Sequence, residues 1–360
     1  MSVKQRVILG AAIAAVPLGI VGGILGAAVV YLKIRDASDR NDRAREKGFS
    51  YDVTGLQQID PKLVTYRQAG KIDTMLQSPR AMALDRQGKL LIAAGAVIRR
   101  FNPDGSRTGA DINLANQATC LATAADGKLY VGMRDHVDIL SPEGQLLASW
   151  QPWAATAYIS GLAIGNGNVY AADSGRLRVL RCDMAGQVLQ EFGRENPALD
   201  VPGLIAPSPH IQVALAPDGL VWVSNPGRFR LEAYRADGHI DWFWGHGRAE
   251  VGGNDAARSG EIDVASFLGC CNPADFLRLP DGRFITAEKG IARVKMFSAG
   301  GVLEGVVAPP QVFAGNNAGL ALAADDANRI FVLERGTATV RIFVPKTQAA
   351  AVAYGQAGGL

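Results

Sequence analysis

Two adjacent cysteines, a spaced column of oxygen-bearing side chains and a few histidines are the residues of this 360-residue chain whose types could do chemistry. Cys270 and Cys271 sit in the run GCCNP. Neighbouring cysteines can close a strained eight-membered disulfide ring. Bonded, the pair is either a local staple or a rigid, redox-active plate that faces a ligand beside Asn272; reduced, it is two buried thiols. An oxidising compartment favours the bond. Such a ring closes almost no loop, so it adds little through chain entropy. Cys120 and Cys182 fall in other segments and are expected to be free, and no CxxC or CxxCH occurs. Asp173, Asn225, Glu288 and Glu334 recur in equivalent turns. Four such oxygens around one axis suit a hard cation such as calcium; otherwise each caps its own turn and pairs with one of Arg178, Arg230, Arg293 and Arg341. His210 and His246 are the histidines placed to face a ligand. A zinc site wants three convergent ligands, and the histidine spacing does not supply them. No nucleophile elbow, P-loop or GxGxxG ahead of a helix is present.

The elements that must position these residues repeat. Six segments, starting at Ser78, Thr119, Ile159, Ser208, Asn272 and Ala318, share an apolar stretch, a turn of the Asp-Gly kind and two further strands. The turn glycines Gly88, Gly127, Gly167, Gly219 and Gly282 are spaced by 39, 40, 52 and 63 residues. A period near 40 with about four strands per unit predicts propeller blades, which must stack around an axis to bury both faces. Gly accounts for 42 of the 360 residues, which also favours tight turns.

The runs YAADSGRLRV, VSNPGRFRL and TAEKGIARV resemble the NHL-repeat β-propellers over roughly residues 60–345. Each has a small residue and an acid or Asn, a short polar turn, then Arg and an apolar residue. Blades one and two depart from this, with AAGAVIRRF and VGMRDHVDI. The resemblance implies an all-β, six-bladed ring, and in some propeller hydrolases of similar fold an axial metal polarises a substrate carbonyl. The last repeat shows three strands, so KLVTYR (62–67) is expected to supply its fourth and close the ring. Strand parity puts the second-to-third turns and the crossovers between blades on one face. The longest crossovers, Gly193–Pro207 and Gly245–Leu268, are where a site is expected. Trp222, Trp242 and Trp244 are expected to pack between blades.

Ahead of the repeats, residues 7–32 form an uncharged apolar run of 26 residues flanked by Lys4, Arg6, Lys33 and Arg35. As a helix it reaches about 39 Å, beyond a ~30 Å hydrocarbon core. It is too long for an ordinary cleaved signal. The expected organisation is a transmembrane signal anchor (1–35), a charged linker (36–59), the propeller (60–346) and a flexible tail (347–360). Basic residues flank both ends, but a long domain translocates largely regardless of them. The propeller is therefore placed in the periplasm or otherwise outside the cytoplasm. Gly19/Gly23 and Gly22/Gly26 offer a face for packing against another membrane helix. Beyond residue 47 the basic and acidic residues nearly cancel, which excludes a nucleic-acid footprint. The expected function is a tethered binding or assembly subunit of a larger, redox-related membrane complex, in contact with integral membrane subunits. The rival is a metal-dependent lyase or lactone hydrolase, with the Asp173–Glu334 column as ligands and His210 as base.

Overall fold

The computed structural model describes residues 57–245, 263–268, 271–313 and 319–346. The first strand, β1 (Tyr66–Asp73), belongs to the last blade. Blade one follows as β2 (Pro79–Leu84), β3 (Leu90–Ala94), β4 (Val97–Phe101) and β5 (Ile112–Asn113). Blade two is β6 (Cys120–Thr123), β7 (Leu129–Gly132), β8 (Val137–Leu140) and β9 (Leu146–Ser149). Blade three is β10 (Ile159–Gly165), β11 (Asn168–Asp173), β12 (Arg178–Asp183) and β13 (Val188–Phe192). Blade four is β14 (Val213–Leu215), β15 (Val221–Asn225), β16 (Arg230–Tyr234) and β17 (Ile240–Trp244). Blade five is β18 (Asp275–Arg278), β19 (Phe284–Glu288), β20 (Arg293–Phe297) and β21 (Leu303–Ala308). Blade six is β22 (Leu320–Ala324), β23 (Ile330–Glu334), β24 (Thr339–Pro345) and the returning β1. Each of the six sheets has four antiparallel strands, so the described chain is an all-β, six-bladed propeller.

Local chemistry builds the hairpins. In blade one the Asp85 carboxylate accepts the backbone N–H groups of Gln87 at 2.9 Å and Lys89 at 2.8 Å, and Gly88 takes φ +73°. Asp183 and Asp325 do the same in blades three and six. An acidic side chain mimics the turn carbonyl, and glycine supplies the left-handed position at no steric cost.

The core is a set of wedges between neighbouring blades. Apolar side chains from each adjacent pair pack together, in seven clusters among the described residues, two of them between blades two and three. The wedge between blades four and five is aromatic. Trp222 and Trp244 lie edge-on to Phe284 at centroid distances of 4.7 and 5.4 Å. Trp242 differs from its expected role: it is 53% exposed on the outer strand β17.

The ring closes as expected, but not where expected. Residues Pro61–Leu63 form a 3-10 turn, capped by the Asp60 carboxylate accepting from Lys62 N at 2.9 Å. The closing strand therefore starts four residues later than 62 and pairs with β24 from Tyr66↔Pro345 to Asp73↔Thr339, with a bulge at Gln68–Gly70. Ahead of it, Thr65 N–H bonds the Val306 carbonyl of blade five at 3.1 Å. No helix among the described residues is long and apolar enough to cross a membrane; the expected anchor 1–35, residues 36–56 of the linker and the tail 347–360 lie outside those residues.

Candidate functional site: the axial funnel

The oxygen-bearing column turns into its own blades. Asp173 accepts the Tyr158 backbone N–H and Arg178 Nε, both at 3.0 Å, and Arg178 also reaches Glu191 at 2.6 Å. Asn225 accepts the Ile205 N–H at 2.9 Å and donates to Glu232 at 2.8 Å. Arg230 bonds Glu232 rather than Asn225, because the amide cannot serve as its counter-ion. Glu288 meets Arg293 at 3.0 Å and Lys295 at 2.8 Å, with all three side chains fully buried. Glu334 pairs with Arg341 at 2.5 Å. Each group thus ties a turn to the following strand or to the incoming crossover. Among the described residues, no three His, Cys, Asp or Glu side chains converge as a metal-binding group.

In blade five this tie extends to the end of the long crossover. Lys295 Nζ donates to the carbonyls of Ala265 at 2.8 Å and Ser266 at 3.0 Å, and lies 4.5 Å from the Phe267 ring centre. Burial pulls its pKa down to about 8, against the opposing attraction of Glu288.

The position one residue further along the same turns behaves differently. It lies in the turn itself, beyond the end of the second strand. In blades two, five and six that position is a cation: Arg134, Lys289 and Arg335. Arg335 lines an axial funnel of about 790 Å³, together with Arg80, Thr119, Tyr158, Ser160, His210 and Gln212. These side chains come from blades one, two, three, four and six. None of the lining residues is acidic. A second recess of about 470 Å³ shares Arg80, Thr119 and Tyr158 and adds Arg134, Asp135 and His136. There the His136 Nδ1 lies 2.7 Å from Asp135.

The scaffold fixes these groups one by one. The bond from Asp173 holds the Tyr158 backbone, and Gly175 leaves room for it: a Cβ at 175 would stand 2.8 Å from Tyr158 N and would also strike the Thr156 carbonyl. Ser160 donates to the Ile211 carbonyl at 2.7 Å, and Gln212 Nε2 donates to the Ser160 carbonyl at 3.1 Å, which ties blade three to blade four. Arg335 Nε donates to the Arg80 carbonyl at 3.1 Å, and Arg80 Nη1 donates to the Tyr158 hydroxyl at 3.3 Å. Lys289 Nζ bonds Ser208 Oγ at 3.0 Å, beside His210. Burial, with Arg335 and Lys289 nearby, lowers the His210 pKa to about 4, so its imidazole is neutral at pH 7.

Of the histidine and cysteine-run candidates, His210 lines the funnel. Asn272 is buried and serves the backbone: it accepts Lys289 N–H at 2.9 Å and donates to the carbonyls of Lys289, at 3.0 Å, and Leu268. It thereby sets the turn that carries Lys289. Cys271 is buried, whereas Cys270 and His246 lie outside the described residues. Cys120 and Cys182 are buried thiols in separate blades. Arg80, Tyr158 and Arg335 were not singled out by the sequence. The readable signal for Arg335 was the cation that follows the acidic column, also present at Arg134 and Lys289.

Asp275 opens the inner strand of blade five and joins it to blade six. Its carboxylate accepts the N–H groups of Phe276 at 2.8 Å and Leu322 at 2.9 Å. Burial raises its pKa to about 6, although Arg335 pulls the other way. The folded state therefore holds this proton more tightly than the unfolded chain. That contribution is complete below about pH 4 and is lost as pH rises through 6. Relative to Asp275→Asn, the wild-type protein should lose up to about 3 kcal/mol between pH 4 and 7. Urea midpoints across that range check this, and parallel pH profiles would refute it.

No protein-family model matches this sequence, and no curated protein matches it. Solved structures do match in fold. Selenomethionine-substituted virginiamycin B lyase from Staphylococcus aureus superposes with a TM-score of 0.51 at 12% identity, over 78% of this chain and 99% of that one. A catalytically inactive form of that lyase with quinupristin gives 0.50 at 14% identity, over 78% and 99%. The WD40 β-propeller domain of Doa1 gives 0.52 at 12% identity, over 79% and 98%. These likenesses establish one thing about the chain: it has the propeller fold.

Proposed function

We propose that this protein is a membrane-tethered binding propeller, working outside the cytoplasm as a subunit of a larger membrane assembly, with the axial funnel as its binding site. The observation that carries this reading is the funnel itself: five blades supply its lining, and its volume of about 790 Å³ falls in the range of small-molecule sites. The apolar run 7–32, with its Gly19/Gly23 and Gly22/Gly26 spacings, supports the tether and contact with integral membrane subunits. Purification of the full chain from membranes in mild detergent tests the reading. The expected result is stoichiometric co-purification of integral membrane subunits, retained after washing at high salt. A monomer without partners would contradict it.

One observation favours a second reading, the lyase or lactone hydrolase. His210 lines the funnel with its imidazole neutral at pH 7, the form a general base requires, and its lowered pKa makes it a weak one. This reading needs calcium at Asp173, Asn225, Glu288 and Glu334, each of which is tied within its own blade in this structure. Stoichiometric calcium that is lost in Asp173→Ala would establish it. Metal-free protein with an unchanged funnel would leave the binding role.

A further inference from the structure

Resting on the funnel as the binding site, we propose that its ligand is an organic anion: a molecule with one oxyanion group and a partly apolar body. The oxyanion sits between Arg80, Arg335 and Tyr158.

The argument is one of unused donors. Three polar side chains of the lining are already committed within the ring. The Thr119 hydroxyl donates to the Gly132 carbonyl at 2.9 Å, Ser160 to Ile211 and Gln212 to Ser160. The other polar lining residues are the neutral Gln77, Ser78, His210 and Thr337, the cations Arg80 and Arg335, and the Tyr158 hydroxyl. Arg335 spends only Nε on the Arg80 carbonyl, and its two terminal nitrogens have no protein partner among the described residues. Tyr158 accepts from Arg80, which leaves its own hydroxyl proton to donate. Neither Arg80 nor Arg335 has a carboxylate within ion-pair distance among the described residues. The arginines inside the blades (Arg178, Arg230, Arg293 and Arg341) all do. Asp275, which acts electrostatically on Arg335, has its two oxygens taken by Phe276 and Leu322 N–H groups.

Guanidinium forks with no counter-ion in a recess favour an oxyanion, since charge-assisted bonds to a carboxylate or phosphate are about twice as strong as neutral ones. Lys289 and Arg134 on the same face add to the positive field, which draws anions in. The funnel is larger than a bare ion needs, and Leu76, Pro79, Pro209 and Ala338 give it apolar wall. Hence the ligand carries a body as well as a charge.

Calorimetric titration of the full-length protein in detergent, in low-chloride buffer, is the test. The probes are phenylacetate, phenyl phosphate and the neutral phenylacetamide. One of the two anions should saturate at one site and bind at least tenfold more tightly than phenylacetamide; which one separates a carboxylate from a phosphate ligand. Arg80→Gln, at an exposed residue, should weaken that anion at least tenfold, and Arg335→Lys should weaken it by less than Arg335→Ala. Arg67→Gln, on the outer closing strand, should have no effect. Equal binding of phenylacetamide, no saturable anion binding, or anion binding indifferent to Arg80→Gln would each overturn the inference. Where phenylacetamide binds equally and still protects funnel backbone from hydrogen exchange, only the anion assignment falls and the binding role stands.

Discussion

Removing residues 57–73 is expected to abolish the cooperative unfolding transition of the whole ring, not merely to trim one blade. Strand β1 pairs with β24 along its full length. Its side chains also serve two wedges: Tyr66 packs between blades five and six, and Ile72 between blades six and one. Just beyond the strand, the Thr74 N–H and hydroxyl both bond the Ala338 carbonyl, at 3.1 and 2.7 Å. Deletion would bare the edge of β24 and open both wedges at once, and an open edge invites pairing with another chain. Ile72→Ala alone should cost about 2–5 kcal/mol, the usual range for truncating a buried Ile. A permuted chain that carries 66–73 after residue 346 should recover the transition, because Tyr66 lies opposite Pro345 and a short turn joins them. Urea denaturation followed by tryptophan fluorescence reads all three. A deleted chain that still unfolds cooperatively at the wild-type midpoint would contradict the role given to β1.

The second large effect is expected at Glu288. Its carboxylate is the counter-ion of two buried cations, Arg293 and Lys295, and all three side chains have no exposed surface. Glu288→Ala leaves both charges in a low-dielectric interior. Breaking a buried pair in this way costs about 3–5 kcal/mol. Replacing Glu288, Arg293 and Lys295 together by apolar residues should recover part of the loss, since no unpaired charge is then left behind. The carbonyls of Ala265 and Ser266 would still lose their donor, so recovery should be incomplete. The denaturation midpoint measures both variants. A Glu288→Ala protein as stable as wild type would show that the ionic tie holds nothing.

The blade count was legible because hairpin chemistry is local. An Asp-Gly turn between apolar strands declares itself within ten residues, as at Asp85–Lys89 and Asp183–Gln187. The closing strand was legible only as a need. The run YRQAGKID has two buried apolar side chains, Tyr66 and Ile72, and a bulge between them breaks the alternation that marks a strand. The apolar alternation in KLVTYR pointed earlier, but Asp60 and Pro61 start a 3-10 turn there. The acidic column was visible in the repeat, and so was its pairing with arginine. Glu232 as the partner of Arg230 was not, because blade four places Asn where blades three, five and six place an acid. The funnel was least legible. Arg80, Tyr158 and Arg335 come from three blades and meet only when the ring closes, so no sequence spacing relates them. What could be read was the single step after the acidic column, at Arg134, Lys289 and Arg335.

Site-specific photo-cross-linking in native membranes tests the central claim most directly. A photoreactive residue at Thr337, on the rim of the funnel, is compared with one at Leu147, which is 51% exposed on the outer edge of blade two. With the funnel as the working site, Thr337 should capture its ligand or assembly partner, seen as a mass-shifted adduct that Arg80→Gln diminishes, while Leu147 should not. Adducts from Leu147 with none from Thr337 would contradict the account and move the function to the outer strands.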